Sequence, residues 1–147
     1  MELHTSAETI SFAKNLENES AKFYEDLSQK YAKDKDILLS FAKENSKYVT
    51  MIERAYYGVI TDAIEGCFAF DLNPDDFTFE TALAEKASYS DIVDRAIEME
   101  KKIVSFYSVA AEQSKLLMAD IPRTFTIIIK KRGNRESRLK SLLEGED

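Results

Sequence analysis

The sequence predicts an all-α fold, an antiparallel four-helix bundle with a long crossover between helices 2 and 3. Three observations carry this reading. Chain breakers are scarce: only four of 147 residues are Gly and two are Pro, while Ala, Leu, Ile, Glu and Lys are abundant, which favours long helices. Apolar residues recur at alternating steps of three and four along four segments, the period of a helix that buries one face. Caps and turn formers fall between those segments. A chain of this length suits a single domain, 1–147, whose core needs no disulfide or structural metal.

Thr5-Ser-Ala-Glu8 has the capping-box pattern, in which a Thr hydroxyl and a Glu carboxylate satisfy orphaned N–H groups at a helix start. Helix 1 follows, with an inner seam of Ile10, Ala13, Glu17, Ser20, Tyr24, Leu27 and Tyr31. Lys33-Asp-Lys-Asp36 supplies a turn and a cap, and helix 2 continues the pattern through Ile37, Phe41, Glu44, Tyr48, Met51 and Ala55. From residue 58 to 88 the period weakens. Residues 65–70 read as a continuation of helix 2, residues 71–76 gather turn formers around Pro74, and residues 77–86 read as a short helix. A connection of roughly 30 residues is too long for a hairpin and suits a crossover. Ser88-Tyr-Ser-Asp91 caps helix 3, with Val93, Ala96, Glu100, Ile103, Tyr107 and Ala110 inward. Asp120 caps helix 4, Pro122 fits its first turn, and Phe125, Ile128, Arg132, Arg135, Leu139 and Leu142 form its seam.

Charge and cysteine content narrow the function. A net charge of −7 and a pI near 4.9 argue against a nucleic-acid partner, and Lys130-Lys-Arg-Gly-Asn-Arg135 scatters its basic residues over several helix faces. Gly133 there is read either as room for a close approach or as relaxed constraint. The single cysteine, Cys67, excludes an internal disulfide and reads first as a small buried hydrophobe, second as a redox or interface thiol. With His4 the only histidine, no four-cysteine or mixed cysteine/histidine centre is possible within one chain. The opening residues lack a basic segment followed by an apolar run, and no stretch is apolar enough to span a bilayer. A cytoplasmic protein with no membrane association is the expectation.

The chain contains a repeat. Ala13-x3-Glu17-x5-Phe23-Tyr24 recurs as Ala96-x3-Glu100-x5-Phe106-Tyr107, 83 positions on; helices 2 and 4 match more loosely. Charged residues stand where each seam should be apolar: Glu17, Glu44, Lys47, Glu100, Arg132 and Arg135. An unpaired buried charge costs several kcal/mol, so these six must answer one another, reach solvent along snorkelling stems, or bind an ion.

This layout resembles the rubrerythrin branch of the ferritin-like di-iron bundles over nearly the whole chain, the crossover matching only in length. The resemblance implies a bundle in which helices 1 and 3 each give a Glu and helices 2 and 4 each give Glu-x-x-His to two irons. Glu17, Glu44 and Glu100 match those positions. Lys47 stands where the first His belongs, Arg132 where the fourth Glu belongs, and Arg135 where the second His belongs. Without the helix 4 offset, Ile128 and Lys131 would fill the last two positions, and neither ligates iron. Protonated Lys and Arg offer no lone pair and repel a dication. No metal and no catalytic residue are therefore expected, Glu17, Glu44 and Glu100 being remnant ligand positions in a salt-bridge pseudo-site. Tyr24 and Tyr107 lie where family members keep tyrosines near the metal; they are read as hydrogen-bonding the network or simply as core.

Three function classes follow. The first is a ferritin-like protein that has lost its di-iron centre and acts by binding or regulation. The second, implied by the resemblance, is a di-iron or single-metal oxidoreductase, a peroxidase or an iron-handling protein, with iron as cofactor if the site is partly kept. The third is a helical module binding a small ligand or partner. A homodimer through the aromatic crossover is expected, since Tyr56, Tyr57, Phe68, Phe70, Phe77 and Phe79 carry more apolar surface than a free loop should.

Overall fold

In the computed structural model, which describes residues 2–59, 68–82, 86–115 and 120–145, the Thr5 hydroxyl accepts from the Glu8 N–H at 3.2 Å and the Glu8 carboxylate accepts from the Thr5 N–H at 3.1 Å. This closed capping box starts α1 (Ser6–Lys30), which ends at Tyr31, whose N–H still reaches the Leu27 carbonyl. Asp34 then takes a left-handed φ of 59°, a conformation short polar side chains tolerate, and α2 (Lys35–Val59) begins at the next residue. A second capping box, Ser88 with Asp91, starts α3 (Tyr89–Ser114), and α4 (Asp120–Glu144) completes the set. Among the described residues these four helices pack around one core, α1 against α2, α3 against α4, and α2 against α4. No described helix is long and apolar enough to cross a membrane.

The crossover departs from expectation. Residues 68–70 do not extend α2. They belong to β2 (Phe68–Leu72), which pairs antiparallel with β1 (Leu3–Thr5), Leu3 facing Leu72 and Thr5 facing Phe68. The reason is the local period: Phe70 and Leu72 are buried and Asp71 between them is exposed, the alternation of a strand. The side chain of Gln113 on α3 holds this ribbon, accepting from the Asp71 N–H at 2.9 Å and donating to its carbonyl at 3.1 Å. The short helix expected over residues 77–86 is absent from the described part of that stretch. A single 3-10 turn, Pro74–Phe77, precedes it instead, capped by the Asn73 side chain. Phe77 anchors it by packing edge-on against Phe106, centroids 5.5 Å apart. Cys67 lies outside the described residues.

The seams of α1, α3 and α4 face inward as expected, from Ile10 to Leu27, Val93 to Ala110 and Phe125 to Leu139. That of α2 is rotated: Leu38, Phe41, Ala42, Asn45, Tyr48, Ile52 and Tyr56 are buried, while Met51 and Ala55 are only half-buried. The crossover aromatics also differ from a free patch. Phe70, Phe77 and Tyr56 lie in the chain's own core, Phe79 is half-buried, and Tyr57 is 64% exposed.

Gly133 is exposed on α4, and a Cβ placed there would meet no atom within 4 Å beyond its own helix turn. The close approach proposed for it is absent. Because Gly in a helix interior costs up to about 1 kcal/mol relative to Ala, Gly133→Ala should raise stability by about 0.5–1 kcal/mol in urea titration; a loss would mean that the position is constrained.

Candidate functional site

At mid-bundle each helix turns a polar side chain inward. Glu17 on α1, Glu100 on α3 and Arg132 on α4 are fully buried, and Arg135, one turn further along α4, is 2% exposed. Arg132 sits between the two carboxylates. Its Nη2 donates to Glu17 Oε1 at 2.5 Å and its Nη1 to Glu100 Oε1 at 2.6 Å. The second oxygen of each carboxylate takes a tyrosine hydroxyl from the opposite repeat: Tyr107 donates to Glu17 Oε2 at 2.6 Å and Tyr24 to Glu100 Oε2 at 2.5 Å.

Arg135 ties in α2. Its Nη1 donates to Asn45 Oδ1 at 2.7 Å and more weakly to Glu100 Oε2 at 3.4 Å, and its Nη2 donates to the Phe41 carbonyl at 3.1 Å and to Glu44 Oε1 at 3.2 Å. Asn45 in turn donates to the Glu17 backbone carbonyl at 3.3 Å, closing a circuit through all four helices. Aromatic faces surround the cations: Arg135 lies 4.9 Å from the Phe41 centroid, 5.3 Å from that of Tyr24 and 5.4 Å from that of Tyr48, and Arg132 lies 5.5 Å from that of Tyr48. Such placements favour a desolvated guanidinium. Arg132 Nε, Arg135 Nε and the Tyr48 hydroxyl have no protein hydrogen-bond partner among the described residues.

Burial alone would push the Glu100 carboxyl up. The facing charges of Arg132 and Arg135, with hydrogen bonds from Tyr24 and Arg132, outweigh it and hold Glu100 below the usual carboxylate range. Burial also works against the charge on Arg132, but Glu100 and Glu17 raise its pKa well above normal; Arg135 is raised in the same way, chiefly by Glu100. Tyr24 and Tyr107 are both pushed far up, first by burial and then by the carboxylate each one faces, and Tyr48 is raised mainly by burial.

The structure thus brings together Glu17, Glu100, Arg132, Arg135, Tyr24 and Tyr107, with Glu44 at the margin, its side chain 39% exposed. Lys47 is not among them. It is exposed, because three residues beyond Glu44 on a helix means a further rotation of about 60° away from the buried stripe. Of the two residues expected from α2, Glu44 meets Arg135 and Lys47 does not, and α2 adds Asn45 and the Phe41 carbonyl, which the sequence reading missed. The visible signal was the spacing Phe41, Asn45, Tyr48, Ile52, an inward stripe with one polar member. The charge count changes accordingly. Two buried glutamates answer two buried arginines, and Glu44 meets solvent. Chemically this set does not suit two irons: guanidinium N–H groups occupy the oxygens that a metal would use, Arg offers no lone pair, and the only histidine, His4, lies in β1. Comparison with protein-family models, curated protein sequences and solved structures finds no significant match.

Removing one member of a buried ion pair costs about 3–5 kcal/mol, whereas exposed changes stay within about 0.5. Arg132→Ala should therefore destabilise the fold by about 3–5 kcal/mol and Lys47→Ala by no more than about 0.5 in denaturant titration; equal losses would contradict this network. The tyrosines give a second readout. Since their folded pKa values are raised, their contribution is complete below the unfolded tyrosine pKa of about 10 and is lost as pH rises beyond it. In the native protein Tyr24, Tyr48 and Tyr107 should ionise at higher pH than exposed tyrosines by absorbance near 295 nm, with stability falling as pH rises above about 10. On the acid side Glu100, whose folded pKa is lowered, should stabilise the fold fully above about pH 5 and progressively less as pH falls below about 4.

Proposed function

We propose that this chain is a non-catalytic relative of the rubrerythrin-like, ferritin-like bundles, one antiparallel domain over residues 1–147, in which a glutamate–arginine network takes the place of two irons. Its role is binding or regulation rather than oxidative chemistry. The observation that carries this reading is the Arg132 guanidinium seated between Glu17 and Glu100, two of the positions that the resemblance equates with iron ligands. A cation fixed on the chain replaces cations from solution.

Other features support it. The repeated Ala-x3-Glu-x5-Phe-Tyr segments lie on α1 and α3 and face one another across the core, as they do in a two-helix repeat. The four residues between α1 and α2 suit antiparallel neighbours, and the longer path from Val59 to Tyr89 suits a crossover. The one cysteine leaves no four-cysteine electron relay within the chain. Phe70 and Phe77 of the crossover and Tyr56 of α2 turn inward, which leaves exposed Tyr57 and half-buried Phe79 as the aromatic surface for a homodimer.

Protein purified from iron-replete cells should contain substoichiometric iron and show no peroxide turnover after anaerobic Fe(II) loading. One or more irons per chain with visible di-iron absorption would sink the proposal. Arg132→Glu and Arg135→His combined, which remove both buried cations and supply a carboxylate and an imidazole in their place, should gain iron binding that neither single change produces.

A further inference from the structure

A second cluster lies apart from the core network, on the β ribbon. Among the described residues, Glu2, His4 and Asp71 each bring a possible metal-ligating atom within 4.8 Å of the others. Their meeting follows from strand geometry. Leu3 and Leu72 face each other and are buried, and successive side chains alternate between faces, so the neighbouring Glu2, His4 and Asp71 turn to the outer face. The Glu2 and His4 side chains are 55% and 37% exposed.

The imidazole turns one nitrogen to the backbone and the other to a carboxylate. His4 Nδ1 lies 3.3 Å from the Phe70 carbonyl oxygen, which can only accept, so that nitrogen is assigned the proton. In the neutral ring Nε2 then carries a lone pair, and it lies 3.5 Å from Glu2 Oε2. A proton on Nε2 makes this contact a histidine–glutamate ion pair, and a metal ion can take that proton's place. A histidine whose far nitrogen donates to a backbone carbonyl is also the usual arrangement of a metal-bound imidazole.

The ligands sit on anchored backbone. The His4 N–H donates to Glu8 Oε1 at 3.2 Å, inside the capping-box corner of α1, and Asp71 is held through both N–H and C=O by Gln113 of α3. Ligand atoms around a tetrahedral zinc lie about 3.4 Å apart, given bonds near 2.0–2.1 Å. The Glu2–His4 separation of 3.5 Å already matches, and the Asp71 carboxylate lies within 4.8 Å of both. One imidazole nitrogen and two carboxylates, with a position left for water, suit zinc or cobalt better than magnesium or calcium, which favour all-oxygen sets.

We infer that Glu2, His4 and Asp71 form a divalent transition-metal site of the zinc class, which clips β1 to β2. The inference is independent of the proposed loss of iron from the core. Because the chain has one histidine, every imidazole resonance of the untagged protein belongs to His4. Calorimetric titration with Zn(II) or Co(II) near pH 7 should show one equivalent bound. Zn(II) should shift the His4 imidazole signal, and Co(II) should displace it paramagnetically. His4→Gln and Asp71→Asn, exposed changes expected to leave the helical circular dichroism intact, should each weaken binding by at least about tenfold, while Glu19→Gln should leave it unchanged. An imidazole signal unmoved by excess Zn(II), or His4→Gln binding as tightly as the parent protein, would overturn the site.

Discussion

The guanidinium of Arg132 is removed from water completely, so most of the stabilisation it loses there has to come from the two carboxylates it faces, the Tyr48 ring adding a smaller part. Effective desolvation of such an ion costs several kcal/mol even after relaxation. That demand fixes much of the interior. Glu17 and Glu100 must lie on opposite sides of one planar fork, so α1 and α3 are held at a common height relative to α4. Each carboxylate then has one oxygen on Arg132 and one left over, and Tyr24 and Tyr107 fill the vacant acceptors. The tyrosines cross: each reaches the glutamate of the other repeat. Four hydrogen bonds between α1, α3 and α4 thus follow from a single buried cation.

Arg135 extends the same logic to α2 with different chemistry. It has no second fully buried carboxylate to itself. It is met instead by an amide oxygen, a backbone carbonyl, the outer edge of Glu100 and three aromatic faces. Dipoles and π faces are weaker partners than full charges, but they need no desolvated counter-charge of their own. Glu44 remains at the rim, where water screens it. The buried part of the network is consequently neutral, two against two, and Lys47 is free to lie in solvent.

How far this was legible depended on which contacts were local. The seams of α1 and α3 could be read because the period, the caps and the 83-residue repeat all agree, and Glu17 and Glu100 fell out as their two misfit positions. Arg132 and Arg135 were visible for the same reason. On α2 two stripes compete: Glu44, Lys47, Met51 and Ala55 carry helical spacing as well as Phe41, Asn45, Tyr48 and Ile52 do. They differ by a fraction of a turn, and what decides between them is the packing of α2 against both α1 and α4, which no local pattern encodes. The ribbon failed for the same cause. A three-residue strand beside a helix cap gives no periodic signal, and its partner lies more than 60 residues away in the chain.

The repeat itself poses a problem that the network answers. Because α1 and α3 carry the same motif, an apolar core would let either helix occupy either place with similar packing, and near-degenerate arrangements blur a native state. Apolar replacement of a buried ion cluster is often neutral or stabilising by about 1–4 kcal/mol, so stability alone does not explain this interior. What distinguishes the two places is polar and local. Arg135 requires the Asn45 amide, and the Asn45 amide requires the carbonyl of Glu17 but no group of Glu100. Exchanging α1 and α3 would have to rebuild that asymmetric link, whereas the symmetric part around Arg132 would survive. Glu17, Glu100 and Arg132 join α1, α3 and α4 at the centre, and Asn45 with Arg135 adds α2 through a link that reaches the backbone of α1 and has no counterpart on α3 among the described residues.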